Sequence, residues 1–278
     1  MSIDNLIRQA AAAIQAADAL LITAGAGMGV DSGLPDFRGT QGFWRAYPAI
    51  AKLGFSFEEM ANPARFSKDP QLAWGFYGHR LNLYRQTEPH QGFRRLLELG
   101  RAKAHGYFVF TSNVDGQFQR AGFATERMVE CHGSIHHLQC TASCTDEIWE
   151  ADRETVTIDE GTFRAVEPLP KCRNCPALAR PNILMFDDWS WISQRTDKQQ
   201  ERLARWLDDL MKGSAKLAAI ELGAGSTIPT VRLTSERVRE QIGGTIIRIN
   251  PRESDVPRGQ IGLPFGAAEG IRRICDYL

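Results

Sequence analysis

The chain has 278 residues, 33 basic and 33 acidic, so its formal net charge is zero. Hydrophobic residues make up 43% and charged residues 24%, proportions typical of a globular protein with a substantial core. The balanced charge argues against a nucleic-acid-binding protein, because affinity for phosphates comes mainly from an excess of Lys and Arg.

The hydrophobic pattern predicts short buried strands that alternate with helices. No apolar run reaches the roughly 18–20 residues that span a bilayer, and the Ala-rich start does not resemble a signal peptide, so we expect a cytoplasmic protein with no membrane partner. In chain order the pattern predicts a helix at Asp4–Ala17, a strand at Ala19–Thr23, a helix at Gln91–Leu99, a strand at Tyr107–Thr111, an apolar run at Ile183–Phe186, a helix at Asp197–Met211, and strands at Leu217–Leu222 and Thr245–Ile249.

Glycine or polar residues follow the predicted strands, which is typical of an open, mostly parallel sheet whose ligand binds at the carboxyl ends of the strands. We therefore predict an α/β fold with a Rossmann-like parallel sheet and helices on both faces, formed by residues 1–40, 89–133 and 183–278. Two segments interrupt the alternation and predict a smaller domain. They are an aromatic-rich helical insert at 41–88 and a cysteine-containing module at 134–182.

The first strand runs directly into Gly25-Ala26-Gly27, which could bring backbone N–H groups against a phosphate. The dehydrogenase fingerprint is not complete, because Val30 stands where its third glycine belongs. A tight turn without a ligand would explain the glycines alone. It does not explain the whole following string, Gly33-Leu34-Pro35-Asp36-Phe37-Arg38-Gly39.

Four of the six cysteines form two close pairs, Cys140-x3-Cys144 and Cys172-x2-Cys175. Two such pairs of thiolates suit a closed tetrahedral zinc site. A closed four-sulfur site has no open coordination position, so the zinc would be structural. The alternative is a set of buried cysteines without a metal.

The string from Gly25 to Gly39 resembles the cofactor loop of the sirtuins, which are NAD-dependent protein-lysine deacylases. The resemblance continues in order over nearly the whole chain. It includes Thr111-x-Asn113-Val-Asp115-Gly116, Cys131-His132-Gly133, the four cysteines, Arg180-Pro181 and Ile249-Asn250.

The resemblance implies a transferase that passes the acyl group of an acylated lysine, on a protein or peptide, to NAD and releases nicotinamide and O-acyl-ADP-ribose. It implies that His132 is the general base and that Asp115 binds the nicotinamide carboxamide. It implies that Asn113 positions the ribose or a water molecule. The remaining positions that it assigns to NAD are Gly25, Ala26, Gly27, Asp36, Phe37, Arg38, Gly223, Ser226 and Asn250. Without the resemblance, a histidine beside a glycine is more often structural, and Asn and Asp are common in turns that follow strands.

Tyr77 and Arg80 lie three residues apart, on one face of a predicted helix. They resemble a pair with which some sirtuins hold acidic acyl groups such as succinyl. The alternative is a core tyrosine and a solvated arginine. Phe186 begins the segment that in sirtuins pairs with the substrate backbone.

Three positions depart from the sirtuin pattern: Gly29 replaces a serine, Ser112 replaces a glutamine, and Phe186-Asp187-Asp188 replaces Phe-Gly-Glu. Trp189 and Trp191 follow, and such large side chains could narrow or close the peptide groove. ADP-ribosyl transfer to protein or NAD hydrolysis is therefore the alternative activity. A silent NAD-binding module is a third, less favoured hypothesis, since a binder needs no base.

Overall fold

The computed structural model describes residues 2–35, 52 and 54–278. Its strands, numbered in chain order, are β1 (Ala19–Ala24), β2 (Tyr107–Thr111), β3 (Met128–Glu130), β4 (Gly133–Cys140), β5 (Trp149–Glu150), β6 (Ile158–Asp159), β7 (Arg164–Ala165), β8 (Ala179–Ile183), β9 (Leu217–Leu222), β10 (Thr245–Ile249) and β11 (Ile261–Leu263). The α-helices within the same ranges are α1 (Ile3–Ala16), α2 (Gly27–Val30), α3 (Phe57–Met60), α4 (Ala64–Lys68), α5 (Pro70–Gln86), α6 (Gln91–Arg101), α7 (Gln117–Arg120), α8 (Gln194–Lys212), α9 (Thr230–Ile242) and α10 (Ala267–Cys275).

Six strands form one parallel sheet in the order β11-β10-β9-β1-β2-β3. The pairing aligns the carboxyl ends of the central strands, since Ala24 pairs with Thr111 on one side and with Leu222 on the other. The chain adds β2 and β3 on one side of β1, and β9 to β11 on the other. The order therefore reverses at β1, the position where open α/β sheets form a ligand crevice.

Helices cover both faces of this sheet, as the sequence predicts. Ile14 of α1, Leu96 of α6 and Ile271 of α10 belong to the core on one face. Trp206 of α8 and Val238 of α9 belong to the core on the other. Burial on both faces explains the continuous apolar character of the central strands.

A third core joins the aromatic insert to the cysteine module. Trp74 and Phe76 of α5 pack in one cluster with Leu138 and Trp149 of the antiparallel sheet β5-β4-β8. The predicted smaller unit is present, whereas its division at residues 41–88 and 134–182 stays a prediction.

No helix within the described ranges is both long enough and apolar enough to cross a membrane.

The apolar run Ile183–Phe186 is not a strand of the parallel sheet. Strand β8 ends at Ile183, where it pairs with Gly133 of β4. The chain then leaves the sheet, and the Phe186 N–H donates to the Ala61 carbonyl at 2.9 Å. The run is apolar because Ile183 and Met185 pack in the core of the smaller unit.

Candidate active site

Two glycine loops cross at the carboxyl end of the sheet. The N–H of Gly25 donates to the Leu222 carbonyl at 3.0 Å, and the N–H of Gly27 donates to the Gly223 carbonyl at 3.1 Å. A Cβ atom on Gly27 would lie 2.7 Å from the Gly223 Cα, so a side chain has no space there. The N–H groups of both glycines therefore bond within the protein, and contact of this loop with a phosphate stays a prediction. The absence of side chains on Gly25 and Gly27 permits the two loops to cross.

Asn113 links this crossing to the end of β2. Its side-chain N–H donates to the Gly25 carbonyl at 3.0 Å, and its backbone N–H donates to the Thr111 hydroxyl at 3.0 Å. The Thr111 hydroxyl in turn donates to the Ala24 carbonyl at 3.0 Å. Asn113 is thus held in one orientation at the strand end, beside the glycine loop.

Asp115 is a buried carboxyl group at the same edge. Its Oδ1 accepts from the Gln117 N–H at 2.9 Å, and a Cβ atom on Gly29 would lie 3.6 Å from its Oδ2. The departure at Gly29 therefore leaves space in front of this carboxyl group. Burial raises the pKa of Asp115 to about 6. A turn residue in water would not show this shift, which is typical of a functional site.

His132 follows β3, which runs parallel to β2, the strand that leads to Asn113. The pairing continues past the strand end, where the Cys131 N–H donates to the Thr111 carbonyl at 2.9 Å. Burial lowers the pKa of the half-buried His132 imidazole, and a hydrogen bond with the backbone of Ser112 acts in the opposite direction. The ring is therefore neutral at pH 7 and able to accept a proton.

His136 lies behind Asp115, and its Nε2 donates to the Asp115 carbonyl at 2.9 Å. Gly116, with φ of 72°, makes room for the ring, since a Cβ atom there would lie 2.6 Å from it. The sequence leaves His136 as a weak candidate for a surface or supporting group. The structure shows that it supports the turn that carries Asp115.

The other end of the site is formed after β9 and β10. Asn250 is fully buried, and its amide donates to the Ala224 carbonyl at 2.8 Å. Ser226 is exposed, and its N–H donates to Glu253 Oε2 at 2.8 Å. The amide of Asn250 is used within the protein, so this residue orients the loop after β9.

Three supporting residues escape prediction from the sequence. Arg232 of α9 donates through Nε to the Ala224 carbonyl at 3.2 Å. The Glu253 carboxylate accepts a hydrogen bond from the Ser226 N–H. His90, at the start of α6, donates through Nε2 to the Met28 carbonyl at 3.0 Å. Arg232 and Glu253 carry no sequence signal, because charged residues are ordinary on a helix face or in a loop. The position of His90 directly before a predicted helix was the sequence feature that could have indicated its supporting role.

The predicted residues Asp36, Phe37 and Arg38 lie outside the described residues. Gly25, Ala26, Gly27, Asn113, Asp115, His132, Gly223 and Asn250 all lie at the carboxyl ends of β1, β2, β3, β9 and β10. The structure therefore brings the described part of the predicted NAD site to one edge of the sheet.

The four predicted zinc ligands also come together. The Sγ atoms lie within 4.8 Å of one another, with 3.7 Å between Cys140 and Cys175 and 3.6 Å between Cys144 and Cys172. A tetrahedral zinc with Zn–S bonds of about 2.3 Å requires sulfurs about 3.8 Å apart. The backbone N–H of Ala142 donates to Cys140 Sγ at 3.3 Å. The donor set fits a closed zinc site that supports the module and takes no part in catalysis.

Comparison with known proteins identifies the family and the fold. The model of the Sir2 family matches residues 25–204, more than half of the chain. The chain belongs to the Sir2 family. A relative of this sirtuin from Thermococcus kodakarensis, named NAD-dependent protein deacylase, is 33% identical over 91% of this chain and 90% of its own. A relative of the same name from Deinococcus radiodurans is 30% identical over 97% and 98% of the two chains.

Solved structures with the same fold include complexes with NAD and with ADP-ribose. A mutant Sir2 homologue in complex with ADP-ribose has a TM-score of 0.72 and 28% identity, with 96% of both chains covered. A Sir2 homologue in complex with NAD has a TM-score of 0.70 and 27% identity, over 96% of this chain and 93% of that chain. These likenesses confirm the predicted family and fold.

In this sirtuin, Tyr77 and Arg80 both face the interior of the smaller unit, with exposed fractions of 1% and 7%. Arg80 Nε donates to the Tyr84 hydroxyl at 3.0 Å, and its guanidinium carbon lies 5.7 Å from the centre of the Tyr77 ring. Burial raises the pKa of Tyr77 to about 12, so the phenol keeps its proton. The alternative of a solvated arginine is therefore wrong.

The segment after β8 has a left-handed residue where the sirtuin pattern has glycine. Asp187 adopts a left-handed conformation, with φ of 54°, at the position where the sirtuin pattern has glycine. Aspartate tolerates this conformation better than most residues. The Trp189 side chain is 98% exposed, so it does not fill a groove, and Trp191 is half-buried. Phe186 is half-buried against the ring of Phe57, 6.0 Å between centres.

We expect Gly223→Ala to abolish NAD binding and to lower the free energy of unfolding. The new Cβ would lie 2.4 Å from the Gly27 backbone, and φ at this position is 58°. Overpacking costs typically about 1–3 kcal/mol, and a side chain here separates the two loops. Calorimetric titration with NAD and urea unfolding measure the two effects.

Gly106→Ala is the matched control for this substitution. Gly106 also has a positive φ, 67°, but precedes β2 at the opposite edge of the sheet, and the nearest atom to a new Cβ is 3.8 Å away. This variant should lose some stability and still bind NAD. Wild-type NAD affinity in Gly223→Ala would show that the crossing does not form the cofactor site.

Proposed function

We propose that this sirtuin is an NAD-dependent protein-lysine deacylase that releases nicotinamide and O-acyl-ADP-ribose, with His132 as the general base. The observation that carries the proposal is the placement of the half-buried His132, Asn113 and the buried Asp115 after the carboxyl ends of β2 and β3, which are adjacent strands. The relatives named NAD-dependent protein deacylase support the same activity. A cytoplasmic location remains a proposal from the sequence.

Each residue has a chemical task in this proposal. NAD, when bound, supplies the bond whose cleavage releases nicotinamide. It also supplies the ADP-ribose that receives the acyl group. The Asp115 carboxylate accepts a hydrogen bond from the nicotinamide carboxamide, and Asn113 positions the ribose or a water. His132 accepts the proton of a ribose hydroxyl through its neutral ring. The crossing of Gly25, Gly27 and Gly223 shapes the floor against which NAD lies.

The test is mass spectrometry of the products after incubation with NAD alone, with an acetyl-lysine peptide and with a succinyl-lysine peptide. O-acyl-ADP-ribose should form only when an acylated peptide is present. ADP-ribose or a protein adduct formed without peptide would overturn the proposal in favour of NAD hydrolysis or ADP-ribosyl transfer. The φ of 54° at Asp187 supports the deacylase proposal, because glycine, the residue of the sirtuin pattern at this position, readily adopts that conformation.

We further propose that Tyr77 and Arg80 select an acidic acyl group. Wild type should deacylate the succinyl-lysine peptide with a higher kcat/KM than the acetyl-lysine peptide. Arg80→Met should lower kcat/KM for the succinyl peptide about 10- to 100-fold, because a charge-assisted hydrogen bond contributes about 1.5–3 kcal/mol. Steady-state kinetics on the two peptides measure this difference.

Tyr84→Phe is the control that keeps the charge. It removes the hydroxyl that accepts from Arg80 Nε at 3.0 Å, so it should weaken the succinyl preference only partly. An equal loss on both peptides in Arg80→Met would mean that Arg80 supports the fold and does not read the acyl group.

A further inference from the structure

Trp189 is almost completely exposed, with 98% of its surface open to solvent. Tryptophan is usually largely buried, because its ring carries a large apolar area. The residue lies in the turn that follows Phe186, and nothing in the fold requires a tryptophan there. The exposed indole offers a large apolar face and a ring N–H to a binding partner.

The turn that carries Trp189 is rigid. Asp188 has a fully buried side chain, and its Oδ1 accepts from Arg180 Nη2 at 2.9 Å and from the Ser190 N–H at 3.1 Å. Its Oδ2 accepts from the Met185 N–H at 3.3 Å. The indole is therefore presented from an ordered backbone, which reduces the entropy lost when a partner binds.

The turn also lies beside the candidate active site. The Leu184 N–H donates to the His132 carbonyl at 3.0 Å, and the Phe186 N–H donates to the Ala61 carbonyl at 2.9 Å. The segment therefore runs from His132 to the smaller unit, and Trp189 follows it three residues after Phe186. We place the substrate polypeptide along this segment, because its position resembles the segment that pairs with the substrate backbone in sirtuins.

Two exposed carboxylates belong to the segments that meet at Phe186. Asp187 precedes the tryptophan by two residues, is exposed, and accepts from Asn62 Nδ2 at 3.5 Å. Glu58 is exposed on α3, whose Phe57 packs against Phe186. The ion pairs within the described residues do not include Asp187 or Glu58. An indole face next to carboxylates suits a cationic side chain.

We propose that Trp189 and Asp187 form a docking surface for a Lys or Arg side chain that flanks the acyl-lysine of the substrate polypeptide. This inference rests on the proposed deacylase function and adds a substrate class to it. The indole face attracts the cation and covers its aliphatic stem, and the Asp187 carboxylate adds the opposite charge.

The experiment compares acyl-lysine peptides that carry Arg, Ala or Glu on both sides of the modified residue. Wild type should show a KM about 3- to 10-fold lower for the Arg peptide than for the Ala peptide, as expected for an exposed cation–π contact and a surface ion pair. Trp189→Ala and Asp187→Asn should reduce this advantage. Trp189→Ala should leave kcat unchanged, and should leave activity on a single blocked acyl-lysine unchanged.

Met211→Ala is the matched control, since Met211 is an exposed apolar residue at the far end of α8. It should retain the preference for the Arg peptide. An Arg advantage that persists in Trp189→Ala, or is absent in wild type, would overturn the docking surface. If wild type deacylates no peptide, the deacylase proposal fails instead. Fluorescence anisotropy of the same labelled peptides then tests the docking surface by binding alone.

Discussion

His132→Ala should lower the rate of acyl-peptide-dependent nicotinamide release about 100- to 10,000-fold, the usual contribution of a positioned general base. The variant loses the neutral imidazole at the end of β3 and keeps the backbone that links Leu184 to position 132. NAD affinity should change little, because the glycine crossing and Asn113 are untouched. Nicotinamide release is measured by liquid chromatography, and NAD binding by calorimetry.

His105→Ala is the control, since His105 is an exposed histidine at the opposite edge of the sheet, just before β2. It should have wild-type activity. If His132→Ala keeps more than about a tenth of the wild-type rate, the proton is accepted by another group and the assignment of the base is wrong.

The pH profile of the wild type gives an independent readout of the same site. Burial lowers the pKa of His132 and raises the pKa of Asp115 to about 6. The neutral imidazole and the Asp115 carboxylate both predominate above these values. The kcat/KM for the acyl peptide should therefore be level near pH 7–8 and fall as the pH decreases through about 6. A rise in kcat/KM on acidification would contradict both roles.

Cys140→Ser should abolish stoichiometric zinc binding and unfold the cysteine module. Cys140 ends β4, is buried, and its Sγ lies 3.7 Å from that of Cys175. Binding of a structural zinc contributes on the order of 10 kcal/mol to folding in small zinc modules. Losing the zinc therefore removes more folding free energy than the apolar core of this small module provides. Zinc content is measured by mass spectrometry, and unfolding of the module by limited proteolysis.

Cys275→Ser is the matched control, since Cys275 ends α10 and lies outside the cluster. It should retain zinc and resist proteolysis like wild type. Full zinc content in Cys140→Ser would mean that the four sulfurs do not form the metal site. Activity is not the readout here, because the closed sulfur set assigns the zinc no catalytic step.

Local sequence was sufficient for the central strands. Strands β2, β9 and β10 have the predicted bounds, because strands buried on both faces are continuous apolar runs between polar residues. Strand β4 was not predicted, since His136 and His137 interrupt its apolar pattern and its partner β8 is distant in the chain. Strand β11 has three residues, one of them Gly262, and is defined by its pairing with β10.

The sequence by itself determined the family and the cysteine quartet, and it predicted the edge of the sheet at which the candidate site lies. These are carried by residue identity, spacing and local periodicity. The tertiary structure decided that Gly27 lies against Gly223, that Arg80 is buried beside Tyr84, and that Trp189 faces solvent. The physical reason is that burial and hydrogen-bond partners depend on which distant segments of the chain pack together. A local sequence pattern does not contain that information.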